Sequence, residues 1–252
     1  EVILYTGGTL KLTATVDDLL INGVRLYGNG GTIDTAGFDT RVNGDIVGPA
    51  GFNKAGAGTL KIESVNNTNV GTVRILGGTL TLTNTAVLPG TNIVIAGAAR
   101  FDVAELASPF ILSGQTLGNS SSTALINGNL DASSGALALT YAASTPALSV
   151  ANGALTLSAT TPVTINNTGA ALGNGNYKLV AAGSGGSVAG TVPSAVIVTG
   201  NGLGSGGSAA LSIAGNELYL DVTGAAPSVN TTPTNILSSV SGGNLNLSWP
   251  SD

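Results

Sequence analysis

Five aspartates crowd the first fifty residues, Asp17, Asp18, Asp34, Asp39 and Asp45, with Arg25 and Arg41 among them. Two carboxylates flanking a glycosidic bond suffice to hydrolyse it, so this cluster is the strongest catalytic candidate in the chain. If the chain winds in coils of twenty-odd residues, side chains one coil apart stack in space. That would bring Asp17 to Asp39, or Arg25 to Arg41, on one face, as in polysaccharide-cleaving β-helices. The competing reading puts these acids in solvated turns, where Asp is favoured because its carboxylate accepts nearby backbone N–H groups. Turn chemistry favours the second.

Other motifs carry less. Gly28-Asn29-Gly30-Gly31-Thr32-Ile33-Asp34 is a loose version of the Gly-Gly-x-Gly-x-Asp element that binds calcium in β-rolls, but that architecture needs tandem copies and the motif occurs once. Gly202-Leu203-Gly204-Ser205-Gly206-Gly207 fits Gly-x-Gly-x-x-Gly, yet an alternating strand, Ala209-Ala210-Leu211-Ser212-Ile213, follows where a dinucleotide site requires a helix. No Gly-Lys pair exists for a phosphate loop. Asn-x-Ser/Thr triplets start at Asn66, Asn119, Asn166, Asn230 and Asn246, as an Asn- and Thr-rich composition yields by chance. Tyr5, Tyr27, Tyr141, Tyr177, Tyr219 and Trp249 are candidates for sugar stacking, but at 4% aromatic content core or end-cap roles fit them better.

The residues that are missing exclude whole classes of chemistry. With no Cys and no His the chain cannot form a structural zinc site, a Cys/His nucleophile pair or a Ser-His-Asp triad. Eight basic against 13 acidic residues give a net charge of −5, the wrong sign for a nucleic-acid footprint. An apolar fraction of 42% argues against disorder, and no apolar run reaches the 18 residues of a membrane helix. We expect no catalytic, cofactor-binding or metal-binding residue, no cofactor, no nucleic acid and no membrane span. The start at Glu1, with no export signal, reads as a processed or trimmed chain.

The elements that position these residues alternate with period two. Thr9-Leu10-Lys11-Leu12-Thr13, Thr59-Leu60-Lys61-Ile62-Glu63, Thr79-Leu80-Thr81-Leu82-Thr83 and Ala154-Leu155-Thr156-Leu157-Ser158 each put aliphatic residues on one face and polar ones on the other. Only Asp102-Val103-Ala104-Glu105-Leu106-Ala107, stopped by Pro109, reads as a short helix. Gly7-Gly8-Thr9-Leu10, Gly30-Gly31-Thr32-Ile33, Ala57-Gly58-Thr59-Leu60 and Gly77-Gly78-Thr79-Leu80 share a Gly-Thr-apolar lead-in, their anchors 23, 27 and 20 residues apart. Such a loose repeat marks a β-solenoid, whose coils bury their inner faces only by stacking; a sandwich is the other possibility. Asn residues at matching turns are expected to stack as an internal ladder.

Residues 51–83, from Gly51-Phe52-Asn53-Lys54-Ala55-Gly56-Ala57-Gly58-Thr59-Leu60 to Gly77-Gly78-Thr79-Leu80-Thr81-Leu82, resemble the autotransporter-associated β-strand repeat, which reads Lys-x-Gly-x-Gly-Thr-Leu and later Gly-Gly-Thr-Leu. The Thr-Tyr-Thr-Gly-Gly centre of that repeat is replaced here by Asn69-Val70-Gly71-Thr72. The resemblance implies a right-handed parallel β-helix in a large exported surface protein. Residues 160–223, with Pro162-Val163-Thr164-Ile165, Leu172-Gly173-Asn174-Gly175-Asn176-Tyr177 and Asn216-Glu217-Leu218-Tyr219-Leu220, look like the closing segment of such arrays in surface proteins of the Verrucomicrobia and Planctomycetes type.

Charge falls off along the chain: residues 106–252 hold only Asp131, Lys178, Glu217, Asp221 and Asp252. The expected organisation is therefore an all-β chain, a right-handed parallel β-helix over 1–150, a β-rich closing module over 151–224, and a Pro/Thr linker with one terminal strand over 225–252. The expected function is structural and non-catalytic, as an extracellular fibre subunit or adhesin stalk. Head-to-tail self-association through terminal strands is the expected partnership, and a surface polysaccharide is a further partner. A carbohydrate-active β-helix enzyme, lyase or hydrolase, is the alternative.

Overall fold

The computed structural model describes residues 2–19, 22–142, 145–226 and 237–248. Every regular element among them is a β-strand. The chain is a β-solenoid of stacked coils with mostly parallel pairing. Each coil lays one strand on a nine-stranded sheet and one on a twelve-stranded sheet, which also takes in Glu217–Thr223 and the short strands Phe110–Ile111 and Leu130–Asp131; the first three coils add a short strand to a third, three-stranded sheet. At about 4.8 Å per strand, the nine strands stand about 40 Å tall.

The alternating segments fold as strands because each buries every second residue against the same interior. On the nine-stranded sheet the inward column runs Phe52, Val73, Ile93, Leu117, Leu137, Val163, Val196. Leu60, Leu80, Phe101, Ile126 and Val150 form its counterpart on the twelve-stranded sheet. These columns belong to one hydrophobic cluster that extends from Leu4 to Ala225. No coil could bury its own inner face alone, so stacking is the source of stability.

The shared lead-in is used on two different sheets. Leu10 aligns with Ile33 on the nine-stranded sheet, whereas Leu60 aligns with Leu80 on the twelve-stranded sheet. The 27-residue interval from Ile33 to Leu60 is thus a change of face. Corners tighten where backbones touch. A Cβ on Gly71 would lie 2.0 Å from the Gly51 amide nitrogen, which excludes any side chain there.

One local expectation is corrected and two are refined. Asp102–Ala107 is not a helix; Arg100–Leu106 is a strand that buries Phe101 and Val103, and Asp102 accepts the Ala104 N–H at 3.0 Å. Parallel pairing does not stop near 150: Leu148–Leu157 pairs with Gly175–Gly190, and Val163–Asn167 with Val196–Gly200. The change of mode comes later, where Glu217–Thr223 inserts antiparallel between Gly175–Gly190 and Ser208–Ala214. The terminal strand Asn244–Ser248, which could not stand alone, has a partner within the chain. It pairs with Leu237–Ser241 across Gly242-Gly243, both at positive φ as a tight hairpin turn requires. Of the expected linker from Ala225, residues 227–236 lie outside the described residues, as does Trp249.

Candidate functional site

The coil geometry brings part of the aspartate cluster together. Asp17, Asp39, Arg41, Thr59 and Lys61 line a shallow cleft of about 400 Å³ at the N-terminal end of the twelve-stranded sheet. Asp18 and Arg41 are register neighbours, and the Arg41 guanidinium donates to both Asp18 carboxylate oxygens. Asn43 Nδ2 adds a 2.7 Å hydrogen bond to Asp18. The hydrogen bond and charge of Asp18 push the Arg41 pKa further up. The Thr59 N–H donates to Asp39 at 2.7 Å, and Asp34 accepts the Ala36 N–H at 2.8 Å with Lys11 3.8 Å away. Ser64 donates its hydroxyl to Asp45. Turn and ladder bonding therefore engages Asp18, Asp34, Asp39 and Asp45. Asp17 is exposed beside them.

Arg25 and Arg41 do not share a face. Arg25 sits on the three-stranded sheet beside Ile3 and Val47, while Arg41 is on the twelve-stranded sheet. In the glycine-rich loop at Gly28–Asp34, the acid closes a local turn. No group of three or more metal-ligating side chains occurs among the described residues.

Asparagines ladder on the outside. Asn152 donates to Asn127 at 2.9 Å, and Asn127 donates to both Asp102 oxygens at 3.0 Å. Inside, Asn67 and Asn119 act singly as corner staples. Buried Asn119 donates to the carbonyls of Ser121, Ser122 and Thr140 and accepts the Thr140 N–H. Asn67 links three successive coils, accepting from Ile46 N–H and donating to the Ser64 and Val87 carbonyls. Asn119 is thereby unavailable to a glycan, whereas Asn66 and Asn166 are exposed. Asn230 lies outside the described residues.

The side chain that sequence reasoning missed is Lys54. It is fully buried in the inward column between Ile33 and Ile75. Its ammonium reaches Thr35 Oγ1 at 3.1 Å and the carbonyls of Ala55, Gly56 and Gly77 at 2.9, 2.8 and 3.0 Å. Three coils thus meet at one cation. Loss of hydration lowers its pKa to about 8, against the attraction of Asp34 and Asp39. The repeat's lysine was the available signal, because a lysine at an inward position must have oxygen partners.

A second polar cluster ties the inserted strand to the stack. Lys178 Nζ lies 2.7 Å from Glu217 Oε2, to which the Tyr219 hydroxyl also donates at 2.5 Å. The hydrogen bond from Lys178 holds the Glu217 pKa below its ordinary value. Tyr141 is buried edge-on to Tyr177, a core contact and no sugar platform.

Further concavities occur among the described residues. One, of about 560 Å³, is apolar and lies between Val87, Leu88, Pro89, Leu106, Pro109 and Ile111. Another is a shallow trough of about 280 Å³ on the outer face of the nine-stranded sheet, crossing five coils from Thr72 and Arg74 to Thr164 and Asn166. No helix among the described residues is long and apolar enough to cross a membrane. Comparison of the chain with protein families, with curated proteins and with solved structures finds no match.

Proposed function

We propose that this chain is a structural, non-catalytic segment of an extracellular surface protein, a rigid stalk that holds other parts away from the cell. The observation that carries this reading is the single core running from Leu4 to Ala225, stapled at its corners by buried Lys54, Asn67 and Asn119. Four of the five aspartates that would serve an enzyme, Asp18, Asp34, Asp39 and Asp45, instead close turns or ladders, which weighs against a lyase or hydrolase. Negative-stain microscopy across a concentration series tests it: separate short rods are expected throughout. A polysaccharide-cleaving activity abolished by joint Asp17→Ala and Asp39→Ala replacement would overturn it.

A second reading, head-to-tail assembly, draws on strand direction. Ser208–Ala214 is antiparallel to Glu217–Thr223, which is antiparallel to Gly175–Gly190, so this edge strand runs with the coils. The edges at Gly8–Lys11 and Val16–Asp18 run the same way. A second copy can therefore extend both sheets in parallel by strand addition. Filaments with a regular repeat in the same micrographs support this reading, and their absence at high concentration refutes it.

A further inference from the structure

The charged side chains are divided unequally between the two long sheets. Strands of the twelve-stranded sheet carry seven acids, Asp17, Asp18, Asp102, Glu105, Asp131, Glu217 and Asp221, against four cations, Arg41, Lys61, Arg100 and Lys178. Strands of the nine-stranded sheet carry one acid, Asp34, against Lys11, Lys54 and Arg74. Beyond Asp34 that sheet has no acidic residue on any strand. Lys54 is buried, which leaves Arg74 as the exposed charge of the region.

Arg74 stands at one end of the trough. Asn53, Arg74, Val94, Gly118, Ala138 and Thr164 are successive members of one outward column. The column narrows to Gly118 and Ala138 in the middle, so the face dips there. The dip is built in: a Cβ on Gly118 would sit 2.1 Å from the Ala138 carbonyl oxygen. Thr116, Thr140 and Asn166 stand beside it with uncharged donors and acceptors. Five strands at about 4.8 Å spacing make the trough about 20 Å long, parallel to the stacking axis. Its floor is small and apolar, its rim is hydroxyl and amide, and its single charge is a cation.

We propose that this trough binds an acidic polysaccharide laid along the solenoid axis, with one of its anionic groups on the Arg74 guanidinium. A sugar chain matches this surface because each ring offers C–H faces to the floor and hydroxyls to the rim. A guanidinium suits a carboxylate or sulfate through paired N–H donors. Beyond Asp34 no acid stands along this sheet, so such a polymer avoids the repulsion of the net negative opposite face. The proposal is independent of the stalk reading, since micrographs test one and titrations the other.

The test is titration of a fluorescent oligogalacturonate into the full chain at low and moderate salt, with neutral dextran and single-stranded DNA as comparators. Binding that weakens with salt is expected. Arg74→Gln should weaken it about tenfold or more. Ala138→Phe, on an exposed outward position, should abolish it while circular dichroism and the thermal midpoint stay as in the parent. Dextran should not bind. No saturable binding of oligogalacturonate, equal binding by A138F, equal binding of dextran, or displacement by DNA as effective as by unlabelled oligogalacturonate would each overturn the proposal.

Discussion

Lys54 offers the sharpest physical test of the fold. Its folded pKa is about 8 against an ordinary 10.5. Below about pH 8 the ammonium is charged in both states, and its burial costs the folded state stability. Between the two values the unfolded chain binds more protons than the folded one, so stability rises with pH. Integrated from about pH 7 to about pH 9.5, the gain is about 2 kcal/mol. Urea unfolding midpoints at these two pH values measure it, and Lys54→Met supplies the control. The substitution leaves the Gly56 and Gly77 carbonyls without their ammonium donor, so the variant is expected to lose absolute stability or gain little, but its stability should be flat across the window. Ionisation of other groups near pH 9.5 is common to parent and variant and is removed by taking the difference between them. A parent protein whose stability is constant or falls over this range, or a K54M variant that rises equally, would refute the assignment of a buried charged lysine.

Three further outcomes are expected. Asn119→Ala removes the donor to three turn carbonyls and the acceptor of the Thr140 N–H; it should cost about 2–4 kcal/mol in chemical denaturation and speed hydrogen exchange at Thr140. Gly71→Ala pushes a methyl into the Gly51 backbone, so a loss of at least about 2 kcal/mol is expected from thermal or urea melts. Glu217→Gln weakens the link to Lys178 and Tyr219 by less than about 1 kcal/mol. Because the Glu217 pKa is lowered by folding, its contribution is present above the ordinary carboxylate range and lost as pH falls through the lowered value; the parent, and not E217Q, should show that loss in melts taken from neutral to acid pH.

The alternation of Leu and Thr was enough to read strands and a stacked interior, because period two reports which side chains face in. It does not report which sheet a strand joins. Identical Gly-Thr-apolar lead-ins at Leu10 and Leu60 therefore looked like one repeat and lie on different faces. The helix expected at Asp102–Ala107 failed because its composition is helix-compatible locally, while stacking of Phe101 on Leu80 and Ile126 decides the backbone. Proximity of Asp17 to Asp39 was legible from coil length; the separation of Arg25 from Arg41 was not, since it depends on where each corner turns. Lys54 escaped because a lysine next to an alternating strand reads as solvent-facing until its carbonyl partners are placed around it. The trough was equally hidden, as it arises from one outward column spread over five coils.

The antiparallel strand Glu217–Thr223 has a geometric effect beyond closing the sheet. Apart from the short side strands Phe110–Ile111 and Leu130–Asp131, each strand on the nine-stranded sheet has one counterpart opposite it, from Gly8–Lys11 with Val16–Asp18 to Val196–Gly200 with Ser208–Ala214. Glu217–Thr223 slots in on one side only, between Gly175–Gly190 and Ser208–Ala214. That side is therefore taller by one strand spacing, about 4.8 Å, across a body whose sheets stand about 10 Å apart. The end of the stack is a ramp, and a neighbour seated squarely on it leans away from the axis. A chain of such neighbours would wind like a spiral staircase, and its bend per subunit would be set by the thickness of a single strand.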